Sequence, residues 1–126
     1  MVLADTSSWI DHFRDASGIL DRLLKSGRVF THEYVIGELA CGSLRNRSST
    51  LKLIGNLPRS VKASHDEVLF LIDRHKLNSR GMGYIDIALL ASSAISNIPI
   101  LTRDKKLAAA AEELGRLYRS PDRDLE

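Results

Sequence analysis

A chain of 126 residues, 44% hydrophobic and 27% charged, fits one compact domain with its own core and excludes wholesale disorder. Cys41 is the only cysteine, which rules out an internal disulfide and a multi-cysteine zinc site and suits a reducing compartment. Eighteen Lys and Arg against sixteen Asp and Glu give a formal charge of +2, too little by itself to argue for a nucleic-acid partner.

Met1 to Ala4 reads as a short buried strand. Thr6, Ser7 and Ser8 then offer hydroxyl caps for a helix carrying Trp9, Ile10 and Phe13, with Trp9 and Phe13 expected in the core. Ser17 begins a second helix, with Ile19, Leu20, Leu23 and Leu24 in helical spacing and Gly27 closing it. Residues 28–31 form a second strand, 32–41 a helix with Val35, Ile36, Leu39 and Ala40 on one face, and 48–57 a helix ended by Pro58. A brief strand is expected over 60–63, after which Ser64 caps a helix containing Val68, Leu69, Leu71 and Ile72. Residues 78–83 are a Gly- and Ser-rich break, and 84–95 a helix too apolar to lie on the surface. A buried strand over 98–102, a helix over 104–114 and an edge strand over 117–119 complete the chain, with a loose tail from about residue 120. No apolar run approaches the roughly 20 residues of a membrane span. Asp5 and Asp11 interrupt any basic-then-apolar export signal, so a soluble cytoplasmic protein without membrane attachment is expected.

Strands alternating with helices call for an α/β sandwich around a mainly parallel sheet, in which ligands gather outside the carboxyl ends of the strands. Two strands end alike, "VLAD" at Asp5 and "PILTRD" at Asp104, so both acids emerge on one edge. Glu38 lies mid-helix among apolar neighbours in "VIGELACG", and Asp86 is the only charge in "GYIDIALLASSAI", where Asp is a poor helix former. Three of the four have a bland alternative. Asp5 and Asp104 are well placed as helix caps, and Asp86 as a first-turn acid complementing the helix dipole, the role assigned to Glu33. Should the four converge, their repulsion calls for a cation, and oxygen donors without His or Cys select Mg²⁺ or Mn²⁺, ions suited to phosphodiester chemistry. The surface left over then carries +6, eighteen basic against twelve acidic residues, which suits a polyanion.

Other chemistries find less support. His12, His32, His65 and His75 have no metal-ligand spacing and are read mostly as surface residues, and Cys41 as a small core residue. No G-x-S-x-G elbow is present, and "RGMGY" lacks the strand and third Gly of a dinucleotide fingerprint.

With the four acids in this order, the chain resembles the PIN-domain ribonucleases, in particular the small VapC-type toxins of toxin–antitoxin pairs. The resemblance rests on "VLADTSSWID", "GELACG", "GYIDIALLASSA" and "IPILTRDKKL", spans nearly the whole chain and shows no departure at the acids. It implies a single PIN-like domain, a three-layer α/β/α sandwich, over residues 1–126. It also implies that Asp5, Glu38, Asp86 and Asp104 are catalytic metal ligands for Mg²⁺, with Thr6 or Ser7 in support. An endoribonuclease acting on RNA, a homodimer and a cognate antitoxin protein follow from the same resemblance. Arg80 and Arg103, each beside a site segment, are candidate phosphate contacts or solvated helix-end charges. A DNA nuclease of the same fold and a non-catalytic RNA- or protein-binding module are the alternatives.

Overall fold

The computed structural model of the protein describes residues 1–120. Its elements are β1 (Val2–Ala4), α1 (Thr6–Arg14), α2 (Ile19–Lys25), β2 (Val29–Phe30), α3 (Glu33–Ala40), α4 (Arg47–Gly55), α5 (His65–His75), α6 (Tyr84–Ser96), β3 (Ile100–Leu101) and α7 (Lys105–Glu113). The strands form one sheet in the order β2-β1-β3, and both pairings are parallel. Val2, Leu3 and Ala4 of the central strand are all fully buried. Successive strand side chains point to opposite faces, so burial of all three means that both faces are covered. That is the layered α/β architecture expected from the alternation of elements.

The sheet is small, and its expected extensions are single bridges. Thr31 pairs with Arg59 and Leu117 with Ile100, but no strand runs over 60–63 or 117–119. The reason is visible at Val61 and Ala63: their backbone N–H groups donate to the Ser96 and Ser92 hydroxyls of α6, which leaves them no ladder to join. The core therefore depends on α6, whose residues 87–93 are all buried. α6 packs on α5, α7 and β3, while α1 packs on α2 and α3. The loose tail expected from about residue 120 lies outside the described residues.

Several local expectations shift by a residue or two. α2 starts at Ile19, because Ser17 is held by Asp15, accepting both its N–H and its hydroxyl. Ser64 does cap α5, in a reciprocal box with Glu67. Glu33 is a first-turn acid on α3, paired with Lys62 at 2.7 Å. Three burial expectations fail. Cys41 is exposed just past the end of α3, Phe13 is 41% exposed on the outer side of α1, and His32 is 1% exposed. His32 is in fact the N-cap of α3: its Nδ1 accepts the Tyr34 N–H at 3.0 Å, and its Nε2 meets the Ser92 hydroxyl at 3.1 Å. Burial holds its pKa below the ordinary value.

Candidate active site

Because all three strands run parallel, their carboxyl ends share one edge, where β1 gives way to Asp5 and β3 to Thr102, Arg103 and Asp104. The Asp5 N–H donates to Leu101 O at 3.1 Å, which locks the two strand ends side by side. Asp5 is 4% exposed, and a carboxylate so deeply buried needs donors. Three groups donate to it. The Ser8 N–H donates to Oδ1 at 2.9 Å, the Thr102 hydroxyl to Oδ2 at 2.5 Å, and the Ser7 hydroxyl lies 2.8 and 2.9 Å from the two oxygens. The helix cap is thus the Asp5 carboxylate itself, in place of the hydroxyls of Thr6, Ser7 and Ser8. Ser8 instead turns its hydroxyl to Leu101 O.

Hydroxyls beside Asp5 organise the neighbouring acids. Thr6 donates to Glu38 Oε1 at 2.6 Å, tying the first turn of α1 to α3. Thr102 accepts the Asp104 N–H at 3.0 Å, so one side chain joins Asp5 to the backbone of the fourth acid. Asp104 Oδ1 accepts the N–H groups of Lys106 and Leu107, capping α7. Asp86 sits in the first turn of α6, where its Oδ2 accepts the Gly83 N–H at 3.1 Å. Its pKa is raised, first by burial and then by the negative charges of Asp104, Glu38 and Asp5, against the lowering effect of the Gly83 bond. Asp86 therefore lies in the field of all three other acids.

The four acids differ in surroundings. Asp5 is buried and Asp86 half-buried, whereas Glu38 and Asp104 are exposed at the rim. For Glu38 this departs from the apolar surroundings expected of it. Among the described residues, no three His, Cys, Asp or Glu side chains are already drawn tightly enough together to grip one ion. The hydrogen bonds explain the looseness: Asp5 faces Ser7 and Thr102, Glu38 faces Thr6, and Asp86 faces Gly83, while mutual repulsion opposes any closer approach. In chemistry the donor set fits a hard divalent cation, since it holds carboxylates and hydroxyls and neither His nor Cys.

Two cations beside the acids are differently placed. Arg80 makes a bidentate pair with Glu113 at 2.6 and 3.1 Å, which pins the loop before α6 to the end of α7. Arg103 is 65% exposed, with its nearest carboxylate partner, Asp11, at 3.9 Å, and its N–H donates to Ser7 Oγ. Thr102 is the site residue that sequence reasoning missed. Its only sequence signal is a hydroxyl between the apolar strand "PIL" and the acid of "RD".

A family model described as PIN domain matches residues 2–113. Ribonuclease VapC32 of Mycobacterium tuberculosis, in strains CDC 1551 / Oshkosh and H37Rv alike, is 44% identical over 116 residues, covering 91% of this chain and 94% of its own length. The crystal structure of PAE2754 from Pyrobaculum aerophilum superposes with a TM-score of 0.59 at 19% identity, covering 90% of this chain and 85% of that one. At that identity it speaks for the fold alone.

Proposed function

The chain belongs to the PIN-domain family, in its VapC-type branch, and on that premise we propose that it is a divalent-metal-dependent endoribonuclease and the toxin of a toxin–antitoxin pair. The observation that carries the reading is the geometry of the acids: Asp5 and Asp104 follow the adjacent ends of parallel strands, Thr6 ties Glu38 to the turn after Asp5, and Asp86, whose pKa is raised first by burial, lies in the field of the other three. A fold does not accumulate repelling charges for stability, so their use lies in what neutralises them.

Asp5, Glu38, Asp86 and Asp104 would hold Mg²⁺, or Mn²⁺ in its place. When bound, such an ion supplies Lewis-acid polarisation of the phosphoryl oxygens and acidifies an attacking water. The chain's own residues prepare the geometry. Ser7, Thr102 and the Ser8 N–H fix both oxygens of Asp5, so that the most buried acid spends no further entropy in binding. Thr6 aims Glu38 across from α3, and the Asp104 cap leaves Oδ2 free of the helix it begins. The exposed Arg103 borders this edge, available to an RNA backbone in a way that the Glu113-bound Arg80 is not.

Protein partners also belong to the reading. Ile10, Phe13 and Leu53 are 42%, 41% and 70% exposed around a groove between α1 and α4, and Phe70 on α5 is 66% exposed. Apolar surfaces of this kind favour a protein cover, which we assign to a cognate antitoxin and a second copy of the chain.

The test is cleavage of a labelled single-stranded RNA and a matched DNA by the purified protein. RNA cleavage that requires Mg²⁺ or Mn²⁺, stops with EDTA and disappears in Asp5→Asn and Asp86→Asn is the expected result. Full activity in the double variant overturns the reading, and selective cleavage of the DNA replaces RNA with DNA as substrate.

A further inference from the structure

One local rule is broken at the acid edge, next to a glycine that leaves room for it. α7 opens with Lys105 and Lys106 and has no acid in its first turn, although the positive end of the helix dipole disfavours cations there. Opposite it, Gly81 has φ +81, and a Cβ built on it would lie 2.6 Å from Lys106 Nζ, 2.8 Å from Cδ and 3.0 Å from Cε. The lysine stem therefore lies in the space that any other residue at 81 would fill. The backbone at φ +81 already favours glycine, and a cation that breaks a helix rule with its stem laid against that bare position indicates a use beyond folding.

The place is defined by the acids. The Lys106 N–H donates to Asp104 Oδ1, and Gly81 stands two residues before Gly83, whose N–H is held by Asp86. The ammonium thus lies between the segments that carry Asp86 and Asp104. Arg80 is occupied by Glu113, whereas Lys106 makes no ion pair among the described residues and, like the loosely held Arg103, is open to a ligand. A compact, mobile point charge with three donors suits a phosphate oxygen.

We infer that Lys106 is a phosphate-binding residue of this site, contacting the RNA backbone beside the acids, and that Gly81 is its seat; the inference rests on the RNA reading above. Binding of a labelled single-stranded RNA to the full chain, with Ca²⁺ in place of Mg²⁺, is followed by fluorescence anisotropy over a range of salt concentrations. Lys106→Gln is expected to weaken binding several-fold and to reduce the slope of log Kd against log salt by about 0.7, one contact's worth on a single strand. Lys106→Arg restores both. Gly81→Ala displaces the ammonium and weakens binding similarly, but adds nothing in the Lys106→Gln background. An unchanged Kd and salt slope in Lys106→Gln, or no binding by the wild type, overturns the phosphate contact. Additive losses in the double variant overturn the role of Gly81. Binding that behaves as expected, in a wild type that never cleaves RNA with Mg²⁺, would refute the nuclease reading while the contact stands.

Discussion

Replacing Thr102 with Val keeps the shape of the side chain and removes one hydroxyl, which makes it a clean probe of how the acid edge is held. In the native protein that hydroxyl donates to Asp5 Oδ2 at 2.5 Å and accepts the Asp104 N–H at 3.0 Å. A hydrogen bond to a charged partner contributes about 1.5–3 kcal/mol. Asp5 is 4% exposed, so water replaces the lost donor poorly, while the exposed Asp104 N–H is readily resolvated. A loss of about 2 kcal/mol follows. With an unfolding entropy of about 2.1 cal/mol/K per residue, the 126-residue chain loses about 8 °C in Tm. Activity should fall with it, because Asp5 keeps only Ser7 to fix Oδ2. Thermal unfolding by circular dichroism, beside RNA cleavage, reads both effects, and Thr102→Ser, which retains the hydroxyl, should restore both. A Val variant that melts within about 1 °C of wild type and cleaves normally would show that Thr102 is a bystander.

Asp86→Asn should raise Tm in EDTA while removing cleavage, since it deletes the charge that burial and three acids destabilise. With its folded pKa above the unfolded value, ionised Asp86 opposes folding above that pKa, and the penalty is relieved as pH falls through it; a lower Tm in EDTA contradicts this. His32 works in the opposite direction. Its folded pKa lies below the ordinary 6.5, so its contribution is complete above 6.5 and declines as pH drops toward the folded value, where protonated Nδ1 can no longer accept the Tyr34 N–H. Urea midpoints from about pH 7.5 down to about pH 5 should fall more steeply for wild type than for His32→Asn, which can cap without titrating; parallel curves count against it. Thr6→Val frees Glu38 from its 2.6 Å bond, and because that pair is exposed the stability cost should stay near 0.5 kcal/mol while cleavage drops several-fold. Unchanged kinetics would mean that Glu38 needs no guide.

The strand-end acids were the most legible part of the chain, because an apolar run that stops at Asp has few places to put it. Asp86 was legible as a lone charge in an apolar helix. For Asp5 and Asp104, cap and site residue looked like alternatives in the sequence, and the structure makes both of them caps that also face the shared edge. Periodicity does not register a hydrogen bond that spans 97 residues, so Thr102 stayed hidden. The absent strand over 60–63 failed for a related reason: its backbone donors are satisfied by the hydroxyls of Ser92 and Ser96, partners from a helix about thirty residues away in sequence. His32 looked like a surface residue because its neighbour Glu33 is polar, while its own ring replaces the Ser or Asp that ordinarily caps a helix.

Since Asp5 and Asp104 each spend an oxygen on a helix N-terminus, losing the chemistry and losing the fold are separable there by the choice of a single atom. Asn preserves an accepting oxygen and discards the charge; Ala discards both, at a cost of about 1 kcal/mol for the cap alone, to which the lost Ser7 and Thr102 bonds add at Asp5. An alanine scan would thus score these positions as structural and functional together. The asparagine forms remain as folded, silent copies, able to occupy the same partners as the native chain and to compete with it.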